Sequence, residues 1–250
     1  MNYNTYYSYI SFKLVMDTAG LIIQELQKYS NPQKAEFFPR FFKTGKGEYA
    51  EGDSFIGIVV PDCRKVAKKY YKEVDLIEVE KLLESKIHEH RLVGLFILVY
   101  MYEVTKLNTE RKLIVNCYLN NLLAVNNWDL VDLSCYKLLG DFLHDKDRSI
   151  LYEFAKSDDL WKQRIAIITT MAFIKNNDFN DTLKIAEILV NHTHDLIHKA
   201  VGWMLREVGK RDQKVELGFL DKYYKQMPRT MLRYAIEKFD EPLRLKYLKG

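Results

Sequence analysis

The sequence predicts an all-α protein, a superhelical solenoid of stacked helix pairs. Three observations carry this reading. The five prolines are Pro32, Pro39, Pro61, Pro228 and Pro242, so residues 62–227 contain none. Proline breaks the helical hydrogen-bond ladder, and a stretch without it can be helical throughout. Apolar residues there recur at helical spacing: Leu92, Leu95, Phe96 and Val99 form one stripe, and Ile165, Ile168, Ala172 and Phe173 another. Finally, five segments carry a polar residue inside an otherwise apolar helix, at Arg91, Asp132, Arg164, Lys199 and Arg233. Their separations are 41, 32, 35 and 34 residues, averaging roughly 36, within the range of two-helix repeats.

The elements follow in order. Residues 1–30 read as a Tyr-rich extension and a first helix within one domain, 1–250. The loop TGKGEYAEGD is rich in glycine, but Gly47 rather than Ser or Thr follows Lys46, so it is not a nucleotide-binding loop. It is expected to be mobile and to touch a backbone phosphate. Phe55 to Val60 is a short apolar run before Pro61, read as a buried loop entering a helix rather than a strand. Helix starts are expected at Pro61 before Asp62, Asn127 before Trp128, Asp158 and Asp159 before Trp161, and Thr193 before His194. Stacking would set the second helices of each pair side by side on a concave face, with Arg164, Lys199, Arg206 and Arg233 pointing inward.

Composition narrows the classes. The chain has 250 residues, 48% of them hydrophobic, enough for a substantial core and inconsistent with disorder. The longest apolar run, Leu95 to Tyr102, is too short to span a bilayer. The N-terminus lacks the pattern of a signal peptide. Three cysteines form no CxxC pair and read as reduced thiols in a cytoplasmic protein. The net charge of +4 resolves into +2 over residues 1–50, −4 over 51–160 and +6 over 161–250. A basic C-terminal face suits a polyanion.

Three segments could carry chemistry. In NNWDLVDLSCYKLLG, Trp128, Asp132 and Tyr136 share a helical face. A carboxylate beside an indole can stabilise a cationic centre; equally, Trp128 is a core residue and Asp132 a bridge between repeats. In DLIHKAVGWMLREVGKRD, Lys199, Trp203 and Arg206 share a face, and Gly202 leaves room for close approach of a backbone or ligand. In LWKQRIAIITTMAF, Arg164 is placed to stack on Trp161, and serves either as a phosphate clamp or as a buttress for Asp132. His192, His194 and His198 lack the company of a metal motif, and Cys135 reads as a buried thiol.

These strings, with FFKTGKGEYAEGDSFIGIVVPDCRKVAKKY and MPRTMLRYAIEKF, occur in an order that resembles the AlkD family of DNA alkylation repair glycosylases, from about Asn31 to Phe239. The resemblance implies HEAT-like helical repeats and hydrolysis of the N-glycosidic bond of positively charged alkylpurines in duplex DNA. It implies that Asp132 is the catalytic carboxylate, that Trp128 and Trp203 flank the lesion's deoxyribose, and that Arg164 stands at the same face. Lys43, Lys46, Lys199, Arg206, Arg233 and Phe41 form the expected DNA-binding set. Phe41 falls near a position where some members carry Tyr, and a Phe there donates no hydroxyl hydrogen bond. No cofactor or metal is implied, and the partner is double-stranded DNA bound by a monomer. No lysine is placed as a Schiff-base nucleophile, and no base pocket is announced. The alternatives are a catalytically weak or inactive binder of distorted or branched DNA on the same scaffold, and a protein-interaction module.

Overall fold

The computed structural model describes residues 17–249. Residues 1–16 of the expected N-terminal extension lie outside the described residues. The helices are α1 (Thr18–Gln27), α2 (Pro32–Phe42), α3 (Val60–Tyr70), α4 (Leu76–Leu83), α5 (His88–Val104), α6 (Asn108–Asn120), α7 (Trp128–Asp132), α8 (Ser149–Lys156), α9 (Leu160–Thr169), α10 (Met171–Lys175), α11 (Asn180–Leu189), α12 (Asp195–Gly209), α13 (Gln213–Tyr223), α14 (Arg229–Ala235) and α15 (Glu241–Lys249). No strand forms among the described residues; Ser54 and Ile87 make an isolated bridge. The fold is all-α, as expected. Residues 55–59 form the expected loop.

An inner row runs α5, α7, α9, α12, α14, each packed on the next. Outer helices back it: α4 covers α5, α8 covers α9, and α11 covers α12. The proline-free stretch supplies most of this row. In α5 even the polar residues His88, Glu89, His90 and Arg91 are buried, because helices press on it from both sides. Gly202 permits the tightest contact in the row. A Cβ there would stand 2.4 Å from the Met231 carbonyl oxygen, so the approach expected at Gly202 is that of α14.

Caps set the helix starts. Asn127 Oδ1 accepts from the Trp128 amide at 2.9 Å, and Asp159 Oδ1 accepts from the Trp161 and Lys162 amides at 2.8 and 3.0 Å, both where expected. Two starts differ by a residue or two. Helix α3 begins at Val60 and takes Pro61 into its first turn, where a missing N–H costs nothing. Helix α12 is capped by His194, not Thr193, through Nδ1 accepting from the Leu196 amide at 3.1 Å.

The helix carrying Trp128 and Asp132 is not continuous. It stops at Asp132, and Tyr136–Gly140 then form a π-helical turn. Such a turn packs one extra residue into the helix and shifts the register after it. Gly140, at its end, lies against α9, where a Cβ would meet the Thr169 carbonyl oxygen at 2.8 Å.

Candidate active site

Two clefts open on the inner row and share a wall. One has a volume of about 980 Å³ and is almost wholly apolar, lined by the phenylalanines of α2 with Phe55, Val60, Leu133, Tyr136, Ile168 and Met171. The other, about 700 Å³, is polar and holds Lys43, Tyr49, Arg164, Lys199 and Arg206. Phe41, Trp128, Asp132 and Trp203 line both. The residues expected to carry chemistry therefore meet on one ridge, with an apolar wall on one side and cations on the other.

Asp132 is held by Arg164 in a two-pronged pair. Nε donates to Oδ1 at 2.9 Å and Nη2 to Oδ2 at 2.8 Å. Arg164 Nη1 donates to the Leu196 carbonyl, which fixes the guanidinium between α7 and α12. The Asp132 side chain retains 15% exposure against 6% for Arg164, so the carboxylate is the more open of the two, although both line the polar cleft. Of the two roles open to Arg164, the structure has the buttress. It does not stack on Trp161, whose ring instead meets Tyr49 edge-on, centroids 5.6 Å apart. Burial raises the Asp132 pKa, and the nearby Asp129 adds to this, against the opposing pull of Arg164.

The two tryptophans are set by different means. Trp128 stacks on Phe42 at 5.6 Å, with planes 17° apart, and Phe42 stacks in turn on Phe55 at 5.0 Å. Phe41 meets Trp128 edge-on at 5.8 Å. Helix α2 thus clamps the indole from outside the repeat. Trp203 is oriented by its own helix: Nε1 donates to Glu207 Oε1 at 3.1 Å, an oxygen that also takes Lys210 Nζ at 2.6 Å.

Of a buried network behind the ridge, the sequence singled out only Arg91. His88 Nε2 meets Asp129 Oδ2 at 2.9 Å, and Nδ1 faces Asp53 Oδ2 at 3.4 Å. Arg91 Nη2 donates to Asp53 at 2.7 Å and to Asn126 Oδ1 at 2.9 Å. Glu89 Oε1 accepts from the amides of Gly57 and Ile58 at 2.8 and 3.1 Å. Together these tie the 53–58 loop and α5 to the start of α7. Burial disfavours the charged imidazole, but Asp129 and Asp53 outweigh it and push His88 up to about 9. His88 is therefore protonated at neutral pH. Its position one residue before Glu89 in an apolar helix resembles any satisfied core histidine, so pattern alone does not single it out.

The loop between α2 and α3 delivers the other unforeseen residue. Tyr49 packs on Trp161 and lies 6.1 Å from the His194 ring. Its phenol is lifted by burial and by Glu48, against the pull of Arg164. The loop is internally braced: the Gly45 amide donates to Glu48 at 2.7 Å and the Gly47 amide to Glu51 at 2.8 Å.

The expected DNA-binding set divides. Lys43, Lys199, Arg206 and Phe41 line the polar cleft. Lys46 is exposed on the loop beside it. Arg233 is exposed and lines neither cleft; its neighbour Tyr234 lines the polar one. Helix α14 has only seven residues, and a one-residue slip turns a side chain by about 100°. Each cation of the cleft already has a carboxylate. Lys199 pairs with Asp195 at 2.6 Å, Lys43 with Glu48 at 4.0 Å, and Arg206 with Glu237 and, at 3.7 Å, with Glu207.

His192, His194 and His198 cap and brace the start of α12. All three cysteines are buried, and burial pushes each thiol up, Cys117 to about 12. No described helix is long and apolar enough to cross a membrane.

Comparison with known proteins agrees with this architecture. A solved protein described as a predicted DNA alkylation repair enzyme from Enterococcus faecalis superposes with a TM-score of 0.68 at 17% identity, covering 85% of this chain and 97% of that one. A likeness at that identity speaks for the fold. The comparison with curated proteins finds no match. The family model for DNA alkylation repair enzymes matches residues 22–239, a span that contains every residue lining the two clefts, and the chain belongs to that family.

Proposed function

We propose that the protein is a DNA glycosylase that hydrolyses the N-glycosidic bond of positively charged alkylpurines in duplex DNA. The observation that supports it best is the shared ridge, where the Asp132 carboxylate lines the same two clefts as the Trp128 and Trp203 indoles, one of these clefts carrying Lys43, Arg164, Lys199 and Arg206. Alkylation of a purine ring nitrogen makes the base a cation and a good leaving group. The enzyme then needs chiefly to stabilise an oxocarbenium-like sugar and to place water. Asp132 supplies the negative charge and a hydrogen-bond acceptor for that water. Trp128 and Trp203 offer π faces to the developing cation. Arg164 keeps the carboxylate aimed. Phosphates on either side of the lesion exchange with the carboxylates now paired with Lys43, Lys199 and Arg206.

The test is base release from methylated duplex DNA. Asp132→Asn keeps the shape and loses the charge, and release should fall by about a hundredfold or more. Equal release by wild type and Asp132→Asn would overturn the role given to Asp132. A second reading, a binder of distorted DNA without base release, is favoured by the close pairing of both Asp132 oxygens with Arg164. It predicts tight binding with no free base at any pH. The apolar cleft alone would also suit a protein-interaction module; steep loss of DNA affinity with added salt separates that case from both DNA readings.

A further inference from the structure

Lys175, the last residue of α10, lines the apolar cleft that Asp132, Trp128 and Trp203 share. Its ammonium lies 4.5 Å from the centroid of the Tyr136 ring, and Tyr136 follows Asp132 by four residues across the break in the helix. The side chain is exposed, so the amine is open to a strand lying along the ridge. Burial of its stem against the cleft wall lowers its pKa, and the charges that act on it, Lys137 and Arg211, push the same way. The Tyr136 face favours the ammonium, so the amine reacts through its neutral fraction, which is the nucleophile.

Although the sequence placed no lysine as a Schiff-base nucleophile, we propose that Lys175 captures the aldehyde of the abasic site and gives the protein an abasic-site lyase activity. The inference extends the glycosylase reading, since base release makes that aldehyde on the same ridge. The amine adds to C1′ and water leaves, forming a protonated imine. A base removes a proton from C2′; that electron pair forms the C2′=C3′ bond, and the C3′–O bond breaks with the 3′ phosphate as leaving group. Water then hydrolyses the imine, releasing the unsaturated aldehyde and the free amine. No oxidant or reductant is needed.

The test uses duplex DNA carrying a preformed abasic site, so it does not depend on base release. With cyanoborohydride present, wild-type protein should form a covalent complex that peptide mass spectrometry maps to Lys175. Without it, the strand should be nicked 3′ to the abasic site. Lys175→Arg keeps the charge for phosphate contact but not the nucleophile. It should trap at least about tenfold more slowly while binding a tetrahydrofuran abasic analogue as wild type does. No trapping by wild type, adducts mapped to other lysines, or equal trapping by Lys175→Arg would each overturn the proposal. Trapping without base release from methylated DNA would instead sink the glycosylase reading and leave this one standing.

Discussion

Asp132 is held in tension. Burial favours its neutral form, and Arg164 favours the carboxylate. Removing Arg164 leaves only the first influence. Arg164→Ala should therefore move the acid limb of the pH–rate profile up by about one pH unit or more, with turnover near neutrality falling by about tenfold to a hundredfold. An unchanged limb would mean that Arg164 does not set the state of Asp132. Lysine at 164 cannot make both bonds and should fall between the two. Tyr49 acts at the same scale. Tyr49→Phe keeps the ring against Trp161 and His194 but removes the hydroxyl beside Arg164 and Trp128. Its DNA affinity should weaken by about fivefold, the worth of one hydrogen bond of about 1 kcal/mol, read in a binding titration. Trp128, Asp132, Arg164 and Trp203 were legible in the sequence because each breaks a pattern, an aromatic or a charge on a helix face. Tyr49 was not, because a loop residue has no period to break. Its place is decided by the loop's bracing and by packing against residues more than a hundred positions away.

At the scale of the element, caps and close approaches set the ridge. Asn127→Ala removes the cap that starts α7, and stability should fall by about 1 kcal/mol in denaturant unfolding. Gly202→Ala meets the α14 backbone and should cost about 1–3 kcal/mol through overpacking. A neutral result would mean that α12 and α14 part without strain. The caps at Asn127 and Asp159 were readable because side-chain acceptors at helix starts are local chemistry. The π-helical turn after Asp132 was not. A single extra residue leaves the apolar pattern of LLGDFL intact, and only its contact with α9 at Gly140 marks the shift. The inward position of α14 was not legible for a related reason: in seven residues the apolar stripe is too short to fix its register, and Arg233 and Tyr234 are equally plausible until packing chooses.

For the whole molecule, titration and salt are the informative measurements. His88 has a folded pKa of about 9 against an ordinary 6.5. Its contribution to stability is complete below pH 6.5 and is lost as pH rises through 9. Glu216, buried with an orphaned Oε1 near Arg206, is raised to about 8 from 4.5. The folded state holds its proton more tightly, so that contribution is lost between pH 4.5 and 8. Unfolding free energy should therefore decline from pH 5 to 9. His88→Asn should flatten the upper part of the decline and Glu216→Gln the lower part; a flat profile in wild type would contradict both assignments. Salt tests the polar cleft. With Lys43, Lys199 and Arg206 as the contacts, the logarithmic salt slope should be about −2 to −3, and Arg233→Ala should leave it unchanged. The regional charge pointed to a basic C-terminal face, but it could not report that Lys199 and Arg206, its cations in the cleft, are already paired with carboxylates, since pairing is a matter of side-chain geometry. Those pairings bear on how the protein searches. Each phosphate that lets go is replaced at once by a carboxylate tethered beside the same cation, present at a high effective concentration whatever the salt. Release from undamaged DNA can then proceed one contact at a time, without a fully bare cation at any stage, so the chain should dwell briefly at ordinary sequence and scan quickly.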